Sequence, residues 1–266
     1  MDLQLTGKRA LVTGGRSGIG RAIARQLALE GVRVAIAARD LAATERAAAE
    51  LSAETGGEIY GFSADTGDDG SVKALIAAVA VRLGGIDILV NAAAKPGGGG
   101  PPPKLAEVTD DLFWSDVNVK VMGYLRVARE AAPLMAEAGW GRIINISGLA
   151  ARQTGSIIGS VRNVAVSALT KNLAEELGPA GINVTVVHPG MTRTERIPAL
   201  AAAMAGRLGI TPAEAEQRLG GGNLIGRMVD AAEVADVVAF LASPRSVSIT
   251  GDAIATGGGV KGPIHY

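Results

Sequence analysis

The sequence predicts an α/β protein with a single doubly wound parallel sheet and helices on both faces. Three observations support this. Short apolar runs alternate with helix-like segments from end to end. The runs are apolar almost throughout, as in strands covered on both sides. The first run also passes through a glycine-rich turn directly into a helix, and strand–helix alternation implies right-handed crossovers.

The first strand is "RALVTG" (9–14), and a helix over 18–31 stops at Gly31, a common C-terminal signal. "RVAIAAR" (33–39) is the second strand and an alanine-rich helix covers 41–55. "EIYGFSAD" (58–65) precedes a helix over 69–83, and "IDILVNAA" (86–93) is the fourth strand. The loop 94–105 contains the run "GGGGPPP", which can continue neither a strand nor a helix. A long helix over 110–138 is expected to break near Gly123, followed by a fifth strand, "GRIINISG" (141–148). Within 155–177, Val166, Leu169, Leu173 and Leu177 fall about one turn apart and mark an amphipathic helix. "INVTVVHPG" (182–190) is the sixth strand, and residues 192–225 interrupt the alternation. "TPAE" (211–214) and "DAAE" (230–233) start helices with a cap and a Glu three residues on. "DAIATGGG" (252–259) closes the sheet. With no internal repeat or linker, residues 1–266 read as one domain, with 192–225 as a possible substrate lid.

Composition narrows the function classes. The chain is 48% apolar and 20% charged, which argues against disorder, and its formal net charge is zero. No nucleic-acid or acidic-membrane surface is therefore expected. With no cysteine, disulfides, zinc thiolates and cysteine nucleophiles are excluded, and no metal is expected. Neither a signal peptide nor a membrane span is visible, so a cytoplasmic protein is the expectation.

"TGGRSGIG" (13–20) lies between the first strand and the first helix. Glycines there let the backbone approach a pyrophosphate, and the helix start offers free N–H groups and positive dipole. The spacing is T-G-x-x-x-G-x-G. Together with Asp65 after the third strand, "NAAA" from Asn91, Asn118 in "DVNVKVMG" and Pro189-Gly190 after the sixth strand, it resembles the short-chain dehydrogenase/reductase family along nearly the whole chain. The resemblance implies a Rossmann-type dinucleotide fold. It implies Gly14, Ser17, Gly18, Ile19, Gly20, Asp65, Asn91, Pro189 and Gly190 as cofactor contacts. An acidic residue ending the second strand would hold the ribose 2′-OH of NAD. Here Ala38 stands in that place, followed by Arg39, with Arg16 nearby in the turn. A guanidinium pairs with a 2′-phosphate, so NADP(H) is favoured over NAD(H), the less favoured alternative being that both arginines are solvated surface residues.

The resemblance also implies a catalytic Tyr with a Lys one helical turn later. In "GSVRNVAVSALTKNLAEEL" Gly159 stands in the Tyr place and Asn163 in the Lys place. No Tyr-x-x-x-Lys occurs elsewhere, because the tyrosines are Tyr60, Tyr124 and Tyr266. Asn163 can still bond ribose hydroxyls but carries no charge. Ser147 and Asn118 are the remaining catalytic candidates, Ser147 being equally readable as a strand-end hydroxyl. His188 could titrate near neutral pH, and Lys95, Arg152 and Arg162 could face the site, though each also reads as structural or solvated. Tyr124 reads as a packing aromatic. Ile197, Leu200, Met204 and Leu208 recur at helical spacing, so a lid would select a partly apolar small molecule. A homo-oligomer, tetramer or dimer, is implied by the resemblance. Three functions stay open: an NADP(H)-dependent oxidoreductase with a non-standard site, a dinucleotide-binding protein without turnover, and a non-redox enzyme reusing the cleft.

Overall fold

The computed structural model of the chain describes residues 1–95 and 101–260; the expected glycine run at 97–100 and Tyr266 lie outside them. Seven strands form one parallel sheet: β1 (Arg9–Thr13), β2 (Arg33–Ala38), β3 (Ile59–Ser63), β4 (Ile88–Asn91), β5 (Gly141–Ile146), β6 (Ile182–Pro189) and, after a two-residue pair β7 (Thr192–Arg193) and β8 (Val229–Asp230), β9 (Ala253–Thr256). The spatial order is β3-β2-β1-β4-β5-β6-β9, so the winding reverses between β1 and β4. This opens a crevice beyond the strands' C-terminal ends at that point.

Both faces are covered, which is why the strands are apolar at most positions. In β1, Ala10 and Val12 belong to one core layer and Leu11 to the other. The first layer is closed by α1 (Gly18–Leu29), α2 (Leu41–Thr55) and α9 (Ala231–Ala242), through Ile23, Leu27, Leu51 and Val238. The second is closed by α3 (Asp69–Leu83), α5 (Gly123–Glu137) and α6 (Ile157–Leu177), through Leu75, Val127, Met135 and Ala174.

The long helix is interrupted just before the expected point. α4 (Asp110–Val117) passes into a π-helical turn, Asn118–Met122, and then into α5. Gly123 packs so closely on Thr66 that a Cβ there would lie 3.0 Å from the threonine side chain, so the helix seats on that strand end and widens in the turn before it. Residues 192–225 hold α7 (Ile197–Leu208) and α8 (Pro212–Gly220), which share a small cluster of Ala201, Ala205 and Ala215. Both capping signals are realised. The Thr211 hydroxyl accepts from Glu214 N at 3.2 Å, and Glu214 and Glu233 reach back to the N–H of Thr211 and Asp230, each at 2.8 Å.

At the end of the sheet away from the crevice, β1 and the entry to β4 are tied by a fork. Arg9 donates through Nε and Nη2 to both Asp87 oxygens, at 2.8 and 2.7 Å, and its backbone N–H also reaches Asp87 at 2.8 Å. Burial works to raise the Asp87 carboxyl, but the Arg9 hydrogen bonds outweigh it and hold the group below its usual 3.8. Asp87→Asn is expected to cost about 2 kcal/mol in urea unfolding at neutral pH. Because the folded carboxyl titrates below the unfolded one, the gap to wild type should close only as pH falls below the ordinary 3.8.

Candidate active site

The turn between β1 and α1 is held tightly against its surroundings. Gly14 has φ +70°, and a Cβ on it would lie 2.8 Å from the Ala92 backbone. A Cβ on Gly20 would lie 2.4 Å from the Gly14 carbonyl oxygen. The turn therefore brings the start of α1 to the mouth of the crevice with its N–H groups facing outward. One of them already holds an anion: Gly18 N–H donates to the Glu195 carboxylate, 3.1 and 3.2 Å from its two oxygens.

A cleft of about 960 Å³ runs from this turn across the sheet edge, within the usual range for small-molecule sites. Of the residues singled out from the sequence, Gly14, Arg16, Ser17, Gly18, Ile19 and Gly20 line it at one end. Arg39 and Asp65 line it beside them, and Ser147, Lys95, Arg162 and Gly190 line it farther along. Arg16 and Arg39 are exposed, and among the described residues neither side chain makes a hydrogen bond or ion pair. Ile197 and Leu200 face the cleft, whereas Met204 packs between α7 and α8 and Leu208 is exposed.

Other candidates face elsewhere. Asn118 donates to the Gly67 carbonyl at 3.1 Å and accepts from Arg126 at 2.9 Å, so its amide is committed away from the cleft. Asn91 donates to Asn145 Oδ1 at 3.0 Å, Asn145 donates to the Thr170 hydroxyl at 2.9 Å, and that hydroxyl donates to the Val166 carbonyl at 2.8 Å. This buried relay ties β4 and β5 to the middle of α6. Pro189 ends β6 outside the cleft lining, and His188 is buried within the same strand, also outside it. Arg152 donates to the Ala253 carbonyl at 3.1 Å, and Tyr60 donates to Glu58 at 2.6 Å on the far edge of the sheet.

At the start of α6, Ser156 caps the helix by accepting from Gly159 N at 3.0 Å. A Cβ on Gly159 would lie 2.9 Å from that Ser156 hydroxyl. Asn163 is buried, and its carbonyl and side-chain oxygens accept from the Ser147 hydroxyl at 3.0 and 3.3 Å. From the π-helical turn, Lys120 reaches under the end of β5 and donates through Nζ to the Ser147 carbonyl at 2.9 Å. Tyr124, one turn on, donates to the preceding carbonyl, that of Ile146, also at 2.9 Å. Burial pushes the Tyr124 phenol well above its ordinary value, and it does not line the cleft. Lys120 does line it, although only 4% exposed. Burial and the neighbouring Arg162 guanidinium lower its ammonium from 10.5 to about 7, only partly opposed by Asp116, which is ion-paired with Arg162.

Comparison with known proteins identifies the family and the fold. The family model described as Enoyl-(Acyl carrier protein) reductase matches residues 14–261. A putative ketoacyl reductase of Streptomyces coelicolor is 36% identical over 255 residues, spanning 94% of this chain and 96% of that protein. Dehydrogenase/reductase SDR family member 4 of Oryctolagus cuniculus is 36% identical over 261 residues, 96% of this chain and 94% of that one. The chain belongs to the short-chain dehydrogenase/reductase family. Two solved structures share the fold. L-sorbose reductase from Gluconobacter frateurii, complexed with NADPH and L-sorbose, superposes with a TM-score of 0.92 at 29% identity, covering 99% of this chain and all of that one. An actinorhodin polyketide ketoreductase variant with NADPH gives 0.86 at 35% identity, covering 94% and 96%.

Glu195 and Lys120 are among the residues lining this short-chain dehydrogenase/reductase cleft that the sequence did not single out. Glu195 had no local signal, since its contact is with a residue near the opposite end of the chain. Lys120 had one: in "NVKVMGY" it stands four residues before Tyr124 in an otherwise apolar run, the spacing of a shared helix face. The glycine turn is directly testable. Gly20→Ala should destabilise the protein by roughly 1–3 kcal/mol through overpacking. Gly206→Ala, on α7 where a Cβ meets nothing within 4 Å, should leave stability equal or raise it by up to about 1 kcal/mol. Paired urea melts measure both.

Proposed function

We propose that the protein is an NADP(H)-dependent oxidoreductase that reduces the carbonyl of a small, partly apolar substrate in a non-standard active site. The observation behind this reading is the single continuous cleft, with the glycine turn and two unpaired arginines at one end and Ser147 with Lys120 at the other. The turn meets the requirement for a diphosphate, since its backbone is close-packed where side chains would stand and one of its N–H groups, that of Gly18, already holds a carboxylate. Arg39 and Arg16 would hold the 2′-phosphate, Asp65 the adenine side, and Gly190 would flank the nicotinamide. When bound, a reduced nicotinamide supplies hydride. The chain itself orients the carbonyl, excludes water and handles the proton. The NADPH-bound relatives and the ketoacyl reductases among them point to the same chemistry.

The site is non-standard because Gly159 and Asn163 take the places of the family's Tyr and Lys, and no tyrosine among the described residues lines the cleft. That last point also favours a second reading, dinucleotide binding without turnover. Ile197 and Leu200 make α7 the apolar wall of a lid. Exposed Trp114, Val161 and Val164 on α4 and α6 suit burial in a homodimer or tetramer.

Fluorescence titration with NADPH, then a turnover screen on ketones, aldehydes and ketoacyl thioesters, tests the proposal. Binding with oxidation supports the reductase, binding alone supports the second reading, and no binding defeats both. Arg39→Ala should weaken NADPH roughly tenfold or more while leaving NADH unchanged, as loss of a charge-assisted contact to the 2′-phosphate would. Glu195→Gln should tighten NADPH about two- to fivefold, because the neutral amide competes less for the start of α1.

A further inference from the structure

We propose that Lys120 is the proton donor of this site, its ammonium taking the place of the missing phenol; the inference rests on the reductase reading above. Lys120 lines the same cleft as Ser147 and Arg162. Its Nζ is held 2.9 Å from the Ser147 carbonyl, its one hydrogen-bond partner among the described residues. An ammonium has three protons, so two remain for other partners.

A purely structural role accounts poorly for a lysine here. The preceding carbonyl, that of Ile146 at the end of β5, is satisfied by the uncharged Tyr124 hydroxyl at the same distance. Capping the Ser147 carbonyl with a buried ammonium costs desolvation that a neutral donor would avoid. Among the described residues no carboxylate offsets that cost by direct pairing, since Asp116, the nearest acid on its own helix, is engaged by Arg162 from α6. Arg162 adds repulsion, and the other charged residues lining the cleft are Arg16, Arg39, Asp40, Asp65, Lys95, Glu195 and Arg196. A lysine so placed gives up a proton readily, as its lowered pKa of about 7 reflects.

The step balances. The carbonyl carbon receives hydride, with its two electrons, from the reduced nicotinamide dinucleotide. The C=O π bond opens and leaves its electron pair on oxygen. A new O–H bond forms as the Lys120 Nζ–H bond breaks, giving an alcohol and a neutral amine that solvent reprotonates. Ser147 gives a second contact to that oxygen once its hydroxyl turns from Asn163.

The full-length protein tests this with Lys120→Met and Lys120→Arg. Arginine keeps a charged donor for the Ser147 carbonyl but does not release its proton. First, lysine 13Cε NMR of the wild type without cofactor should show one lysine titrating near pH 7, absent from Lys120→Met. Second, both variants should bind NADPH like wild type while kcat for carbonyl reduction falls roughly 10²–10⁴-fold. Third, wild-type kcat should decline as pH rises through about 7, where the ammonium is lost, and the residual rate of the variants should not. If Lys120→Met fails to fold, Lys120→Arg carries the comparison. Wild-type kcat and pH profile in Lys120→Arg, or no lysine titrating below pH 9, would overturn the proposal and leave the reductase reading intact. Failure of the wild type to oxidise NADPH with any carbonyl would remove that reading, and this proposal with it.

Discussion

The cleft exists because α1 approaches the ends of β1 and β4 more closely than side chains would permit. The limiting contacts are main-chain to main-chain: the Gly14 carbonyl against Gly20, and the Ala92 backbone against Gly14. The approach points the helix's unpaired N–H groups into the crevice at the reversal of strand order. The Glu195 carboxylate on Gly18 shows how strongly that position favours negative charge, since a side chain from the β7–α7 segment is drawn across the cleft to satisfy it. The start of α7, which carries Ile197 and Leu200, is thereby anchored near the point a diphosphate would need.

At the other end, desolvation is the controlling effect. Tyr124 and Lys120 are both buried, lie one turn apart and cap consecutive carbonyls of the strand end. Burial moves them in opposite senses. The phenol is pushed far from ionising and becomes a fixed neutral donor, whereas the ammonium is pushed toward losing its proton. Proximity on a helix face therefore does not make them a phenol–ammonium couple. One points into the β-strand framework and the other borders the cleft.

Much of the framework was legible in the sequence because burial on both faces leaves few choices. Strands with no polar alternation, helices with caps and glycine stops, and the glycine turn fell within a few residues of their expected limits, and α2 and α3 matched at both ends. The helix interruption was read at Gly123 because glycine is the local signal, but the widening occupies the preceding turn, where packing on Thr66 decides it. The polar residues were harder. Asn118 and Asn91 resemble cleft residues by their place in the motif, yet the Asn118 amide bonds Gly67 and Arg126, and Asn91 donates to Asn145 while its side-chain oxygen has no partner among the described residues. A lysine is read as solvated by default, and only the tertiary packing of the π-helical turn reveals Lys120 as buried.

The Asn91–Asn145–Thr170 relay bears on how such a site can change. It clamps α6 to the sheet near the helix's midpoint, by hydrogen bonds that a slide along the axis would break. The first turns of α6, where Gly159 and Asn163 lie, project beyond that clamp. Replacements there leave the Asn91–Asn145–Thr170 hydrogen bonds themselves in place. The architecture thus separates the mounting of the helix from the residues that its tip presents to the cleft mouth.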